Sequence, residues 1–275
     1  MALYITSLNS GSNGNCYYVG NNKEAVLIDA GISCRETEKR MQQLGLSIKL
    51  VKAIFISHEH GDHIKGLSTL ANKYNLPVYI TNSTANNGPH LIKHLSKIFM
   101  AQQPVAVGNL LITPFTKHHD AADPHSFIIT NGEVTVGVFT DIGKACHHVI
   151  HYFKQCHAVF LESNYDDTML ENGCYPLHLK NRIRGGNGHL SNKQALELFI
   201  QHKPPFMTHL LLAHLSKENN CPQLAAALFK KYAGDQTAVI VASRYEATPV
   251  FTISNTASVS LNRLDILRPV QLNLF

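Results

Sequence analysis

Apolar positions fall into short runs broken by turn residues or by stretches of helical spacing, the pattern of a layered α/β protein whose strands are buried on both faces. Residues 3–8 alternate weakly as a first strand. A turn, Ser10-Gly11-Ser12-Asn13-Gly14-Asn15, leads to a strand at Tyr17-Tyr18-Val19, and Asn21-Asn22 closes a hairpin onto Ala25-Val26-Leu27-Ile28. A helix is expected over about 33–44, with Met41 and Leu44 inward and Arg35, Lys39 and Arg40 on a solvated face. Ala53-Ile54-Phe55-Ile56-Ser57 reads as a buried strand, and Ile64, Leu67, Leu70 and Ala71 then recur at helical spacing. A short strand at 77–80 and a helical pattern at 82–95 precede strands at about 103–107, 110–116, 126–130 and 133–139. Asn131-Gly132 is a tight-hairpin pair, so the last two should run antiparallel. Helix and strand alternate after that: helix 147–153, strand 158–161, helix 175–183, a helix capped by Ser191 or Asn192, strand 207–213, helix 221–232, and short strands at 239–242 and 249–253.

Composition narrows the class. The chain has 275 residues with 44% hydrophobic content, enough for a sizeable core, and no repeat or low-complexity linker divides it. One domain over 1–255 with a tail over 256–275 is expected. No apolar run reaches membrane-spanning length, and the first residues lack a signal peptide's basic region and apolar core. Six cysteines without paired spacing suit reduced thiols, so a cytoplasmic location is expected. A net charge of +5 permits an anionic substrate without identifying one. Seventeen histidines point to metal chemistry or proton transfer.

The densest chemistry is His58-Glu59-His60-Gly61-Asp62-His63, on the turn between the 53–57 strand and its helix. Imidazoles bind a divalent ion through one ring nitrogen, and Asp62 adds a hard oxygen. Ligands so close in sequence diverge in direction, so the economical geometry puts His58 and His60 on one ion and Asp62 and His63 on another about 3.5–4 Å away. Gly61, lacking a Cβ, is expected to let the turn approach the metal. Asp29 either holds a ligating histidine by its other ring nitrogen or caps the following helix. His118 or His119, Asp141 and His214 each follow an apolar strand. Any one alone would be a satisfied histidine or a helix cap; together they lie where layered α/β folds gather ligands. Ser10, Ser12 and Asn15 belong either to a plain turn or to a phosphate-contacting one. Lys180, Arg182 and Arg184 form either a solvated face or a strip that tracks a phosphate backbone.

In order and spacing, Asp29, His58-x-His60-x-Asp62-His63, His119, Asp141 and His214 resemble the metallo-β-lactamase superfamily, over about 3–253. More narrowly, the 10–15 turn, His119-Asp120-Ala121, Glu162-Ser163-Asn164-Tyr165-Asp166 and Gly188-His189-Leu190-Ser191-Asn192 are similar to the bacterial YycJ (WalJ/VicX) group, which is associated with exonuclease activity on DNA. The resemblance implies a four-layer αββα sandwich with the metal site at one edge of its two sheets. It implies His58, His60 and His119 on a first metal, Asp62, His63 and His214 on a second, and Asp141 bridging. His189 resembles a non-ligand histidine of nuclease branches that protonates the leaving oxygen, with Glu162 orienting it. Asp62, His189 and Glu162 are the expected catalytic set. The stretch 141–214 is too short for the second domain of the β-CASP nucleases, so no β-CASP insertion is expected.

The function implied is a dinuclear-metal phosphodiesterase, a sequence-independent DNA exonuclease whose nucleophile is a hydroxide bridging the ions. Zinc fits a ligand set of N and O atoms without cysteine, and manganese is compatible with it. The rivals are a hydrolase of small esters, thioesters, lactones or cyclic phosphodiesters on the same ions, and a non-enzymatic regulatory protein. After Arg268-Pro269 the chain ends with Gln271, Leu272, Asn273, Leu274 and Phe275, which resembles the bacterial sliding-clamp-binding pentapeptide. Packing of that tail on its own domain is the alternative.

Overall fold

The computed structural model describes residues 1–88 and 94–255; the expected partner-binding residues Gln271, Leu272, Leu274 and Phe275 lie outside the described residues. Strands β1 (Leu3–Asn9), β2 (Cys16–Gly20), β3 (Ala25–Ile28), β4 (Val51–Phe55), β5 (Val78–Ile80) and β6 (Ser96–Ile98) lie side by side in one sheet. The second sheet holds β7 (Val105–Val107), β8 (Leu110–Thr116), β9 (His125–Thr130), β10 (Thr135–Phe139), β11 (Ala158–Glu162), β12 (His209–Ala213) and β13 (Ala238–Val241). A last strand, β14 (Phe251–Ile253), returns to the first sheet beside β1. The helices are α1 (Cys34–Gln43), α2 (Gly61–Ile64), α3 (Leu67–Tyr74), α4 (Asn82–Asn87), α5 (His147–Phe153), α6 (Asp167–Asn172), α7 (Leu177–Arg184), α8 (Asn192–His202) and α9 (Pro222–Ala233).

Strand alternation explains the four layers. Val26, Ile28, Ala53 and Phe55 face Phe127, Ile129, Phe160 and Leu211 across the space between the sheets. Their neighbours Leu27 and Ile54 turn to the other face, against Met41, Leu67 and Leu70 of α1 and α3. Val159, Leu161, Leu210 and Leu212 likewise turn outward onto Val149, Phe153, Phe199 and Phe229 of α5, α8 and α9. Strands apolar on both faces are thus sandwiched twice, and a one-residue slip would exchange the two sets. The layers run helix, sheet, sheet, helix, which is the αββα sandwich.

Each sheet is mixed, and its parallel part serves the site. Strands β3, β4 and β5 run parallel in the first sheet, and β10, β11 and β12 in the second. The expected hairpin at Asn131-Gly132 joins β9 and β10 antiparallel. Between Asp141 and His214 lie α5, β11, the three helices α6, α7 and α8, and β12, and no β-CASP domain.

Several local expectations need correction. Of the 82–95 pattern, the described residues hold α4, whose C-cap is Gly88, and Ser96–Ile98 adds a strand to the sheet. Arg40 is not on a solvated face. It is buried and donates to Leu8 O at 2.6 Å, Asn9 Oδ1 at 2.7 Å and Tyr245 O at 2.9 Å, because a guanidinium's fixed fork can serve several loop acceptors at once. Gly61 is not the crowded glycine, since a Cβ there would meet nothing within 4 Å. The close approaches belong to Gly31 and Gly66, where a Cβ would lie 1.7 Å from Asp62 O and 1.8 Å from Ile32 O. The turn before β2 and the loop after β3 are both sewn to the histidine loop there, the first by Asn15 N to Asp62 O (2.7 Å), the second by Ala30 N to His63 O (2.8 Å) and Gly66 N to Ala30 O (2.8 Å).

Gly31→Ala must therefore push the histidine loop away from its seat. A cost of about 3 kcal/mol is expected, read as a lowered thermal midpoint with a raised dissociation constant for divalent metal. An unchanged midpoint would show that the loop does not rest on Gly31.

Candidate metal centre and active-site cleft

The site is assembled from strand ends. Asp29 follows β3, the histidine loop follows β4, His119 follows β8, Asp141 follows β10, Glu162 ends β11 and His214 follows β12. Asp29 (φ 61°), Asp141 (φ 55°) and His214 (φ 56°) all take the left-handed backbone conformation, which turns each side chain sharply off its strand. Asp and His are among the side chains that tolerate this region, at a cost of about 1–3 kcal/mol each.

One atom from each of His58, His60 and His119 lies within 4.8 Å of the others, and the same holds for Asp62, His63 and His214. Asp141 sits between the two trios: Oδ2 is 3.3 Å from His63 Nε2, and Oδ1 is 3.8 Å from His119 Nε2 and 3.5 Å from His214 Nδ1. The far sides of the rings are held. His63 Nδ1 meets Asp29 Oδ2 at 2.7 Å, His119 Nδ1 meets Gly188 O at 3.0 Å, and His58 Nδ1 meets Ser57 Oγ at 2.9 Å. Fixing one nitrogen this way presents the other for coordination. Asp29 does not cap α1; Ser33 does, and Asp29 instead also accepts from Ser57 N and Ser57 Oγ, both at 2.8 Å.

These residues fit divalent cations. His119 Nε2 and Asp141 Oδ2 are buried without a hydrogen bond; Asp141 Oδ2 is near His63 Nε2, but not in bonding geometry. With its Nδ1 proton given to Gly188 O, His119 Nε2 is an electron-pair donor like Asp141 Oδ2, and two such buried atoms without a partner are costly unless a cation joins them. The field agrees. Burial opposes charge on His63 and His214, yet Asp141, Asp29 and Asp62 raise His63 well above the histidine range, and Asp141, Asp62 and Glu162 lift His214 to about 10. Burial, with His63 and Lys117 nearby, holds His58 far below that range, and burial takes His119 down to about 4. Asp141 stays ionised because His214 and His63 outweigh its burial. A region that pulls protons onto buried imidazoles will also pull in a metal ion.

The trios open onto a cleft of about 280 Å³ that His60, Asp62, His119, Asp141, His189 and His214 line. His189 is partly exposed, as are His60 and Asp62; its Nδ1 lies 2.7 Å from Glu162 Oε1, which leaves Nε2 to the cleft. Glu162 is fully buried and also accepts from Ile142 N at 2.6 Å and Leu190 N at 3.1 Å through Oε2.

Of the expected substrate contacts, Ser12 and Arg182 reach this cleft. Ser10 and Asn15 do not line it; they are buried with structural partners. Ser10 Oγ accepts from His214 N at 2.7 Å, and Asn15 Nδ2 lies 3.1 Å from both Asp62 Oδ2 and His63 Nε2. Lys180 and Arg184 turn away to Glu171, and Arg184 lines a separate cavity of about 400 Å³ that holds none of the clustered histidines. Sequence reasoning missed Ser57, Asn164 and Arg244. Asn164 Nδ2 donates to His214 O at 2.8 Å, and Arg244 Nη2 donates to Ser12 Oγ at 2.9 Å. Asn164 lies within the Glu162–Asp166 motif, the one readable signal among the three; Ser57 and Arg244 act through Asp29 and Ser12, which are distant in sequence.

The sequence profile of the metallo-β-lactamase superfamily matches residues 10–161. Exodeoxyribonuclease YycJ of Bacillus anthracis is 38% identical over 229 residues, 82% of this chain and 87% of that protein. Exodeoxyribonuclease WalJ of Streptococcus pneumoniae is 31% identical over 225 residues, 79% of this chain and 83% of that protein. Among solved structures, the metallo-β-lactamase fold protein YhfI from Bacillus subtilis superposes with a TM-score of 0.71 at 18% identity, over 91% of this chain and 99% of that one, a likeness of fold. The chain therefore belongs to the metallo-β-lactamase superfamily, and within it to the group of the YycJ and WalJ proteins. It is a metal-dependent hydrolase.

Asp29→Asn removes the charge behind His63 while keeping its shape. Divalent-metal affinity should weaken about 10–100-fold in a chelator competition. Equal affinity in the variant and the parent would show that His63 is not held through Asp29.

Proposed function

We propose that this hydrolase cleaves phosphodiester bonds of DNA from an end, without reading sequence, on a pair of divalent ions. The two relatives are named exodeoxyribonucleases, which supports DNA as the substrate. The observation that carries the reading is the Glu162–His189 pair, because it adds a proton-transfer group to the ligand trios in the same cleft.

Bound cations would supply Lewis acidity, activating water near neutral pH and neutralising charge on a phosphoryl group. The chain's own residues do the rest. Glu162, drawn down to about 2 because His189 and His214 outweigh its burial, remains ionised and fixes His189 Nδ1. The ring then holds its mobile proton at Nε2 and can donate it to a departing sugar oxygen, which is general-acid catalysis worth about 10²–10⁴ in rate. Ser12, whose Oγ accepts from Arg244, keeps its own proton for a phosphate oxygen. Arg182 adds positive charge at the cleft. Zinc suits the N and O ligand set, and manganese also fits it. Docking of 271–275 on a sliding clamp is supported by the resemblance of its sequence alone.

The same geometry lets His189 join Asp141, Glu162 and His214 as a fourth metal-binding group, and substitution separates the two roles. His60→Ala should lose bound metal and all hydrolysis of end-labelled DNA. His189→Ala should keep its metal, by elemental analysis, while kcat falls about 100- to 1,000-fold. Metal loss from the His189 variant would overturn the acid assignment.

A further inference from the structure

Helix α7 buries none of its side chains, although three of its eight residues are Leu177, Leu179 and Ile183. Leu179 and Ile183 are spaced i, i+4 and share one helix face. Together with Tyr175, just ahead of the helix, that face forms a wall of the cleft that holds His60, Asp62, His119, Asp141 and His189. Apolar side chains are thus kept out of the core and turned toward a metal-binding site. Arg182 lies on the same helix, its Nε bonded to Asp120, which leaves the two terminal nitrogens of the guanidinium free of that bond. The volume, about 280 Å³, lies just under the usual range of small-molecule sites.

We infer that Tyr175, Leu179 and Ile183 form a subsite for the base and sugar of one unpaired terminal nucleotide, with Arg182 facing its phosphate. This rests on the nuclease reading above and adds to it the state of the substrate: the end must open before its nucleotide enters. Every base has a π-face, so stacking on Tyr175 would hold the nucleotide without regard to sequence. The charge of Arg182 beside an apolar wall and a cationic metal site matches a nucleotide's own order of base, sugar and phosphate.

Steady-state cleavage of three end-labelled DNAs tests the inference: a single strand, a duplex with an unpaired end and a blunt duplex. The single strand and the unpaired end should be cleaved with higher kcat/KM than the blunt duplex. Tyr175→Ala should raise KM for the single strand about tenfold, or about 1.4 kcal/mol, with kcat little changed, and Tyr175→Trp should restore KM. Equal kcat/KM on all three DNAs, an unchanged KM in Tyr175→Ala, or a failure of Trp to restore it would overturn the subsite. If the wild-type protein hydrolyses a generic phosphodiester and no DNA, the nuclease reading itself falls.

Discussion

Three carboxylates, Asp29, Asp141 and Glu162, are buried together where the two sheets meet the cleft, and the rest of the site answers that charge. A buried carboxylate is tolerated only when it is paired and hydrogen-bonded. Asp29 is satisfied by Ser57 and His63, and Glu162 by two backbone N–H groups and two imidazoles. Asp141 is left with Oδ2 unbonded. Lys117, itself buried, donates to Thr140 O at 2.6 Å and brings a positive charge close behind Asp141. The remaining negative potential settles on His63 and His214, which hold protons there against their burial. Divalent cations are the natural occupants of such a field.

The fold makes this arrangement affordable by separating stability from chemistry. Strands buried on both faces fill three apolar clusters, two of them outside the sheets and one between. Against that background, the strain of left-handed residues at Asp29, Asp141 and His214 is offset by burial elsewhere and gains direction, since each turns its side chain off a strand end. The backbone bonds around Gly31 and Gly66 clamp the loop after β3 onto the histidine loop, so two parallel strands deliver their ligands as one unit. Site geometry is therefore a property of rigid strand ends more than of mobile loops.

Much of this was legible in the sequence, and the boundary is physical. The apolar runs gave most of the strands, because a strand buried on both faces can hardly be written otherwise. Metal-binding chemistry was legible because several His and Asp recur together at strand ends, where layered α/β folds gather their ligands. What escaped depends on partners remote in the chain. Arg40 looks like any cation on an amphipathic helix until Leu8, Asn9 and Tyr245 are seen around it. Ser10 and Asn15 read as phosphate contacts because their turn is polar, yet they are spent on His214, Asp62 and His63. Gly61 drew attention by standing inside the motif, while the crowded glycines stand before and after it.

Glu162 shows how far one residue can tie the parts together. A single oxygen, Oε1, lies 2.7 Å from His189 Nδ1 and 3.1 Å from His214 Nδ1, so one carboxylate faces both the proposed proton donor and a candidate metal ligand. Its other oxygen is fixed by the backbone at Ile142 and Leu190, the residues next to Asp141 and His189. Moving Glu162 would disturb Asp141, His189 and His214 at once, although it need not touch substrate. An Asp in its place would keep the charge but fall one methylene short of that span. Length as well as charge thus decides the residue at this position, and the end of β11 sets the spacing between metal binding and proton transfer.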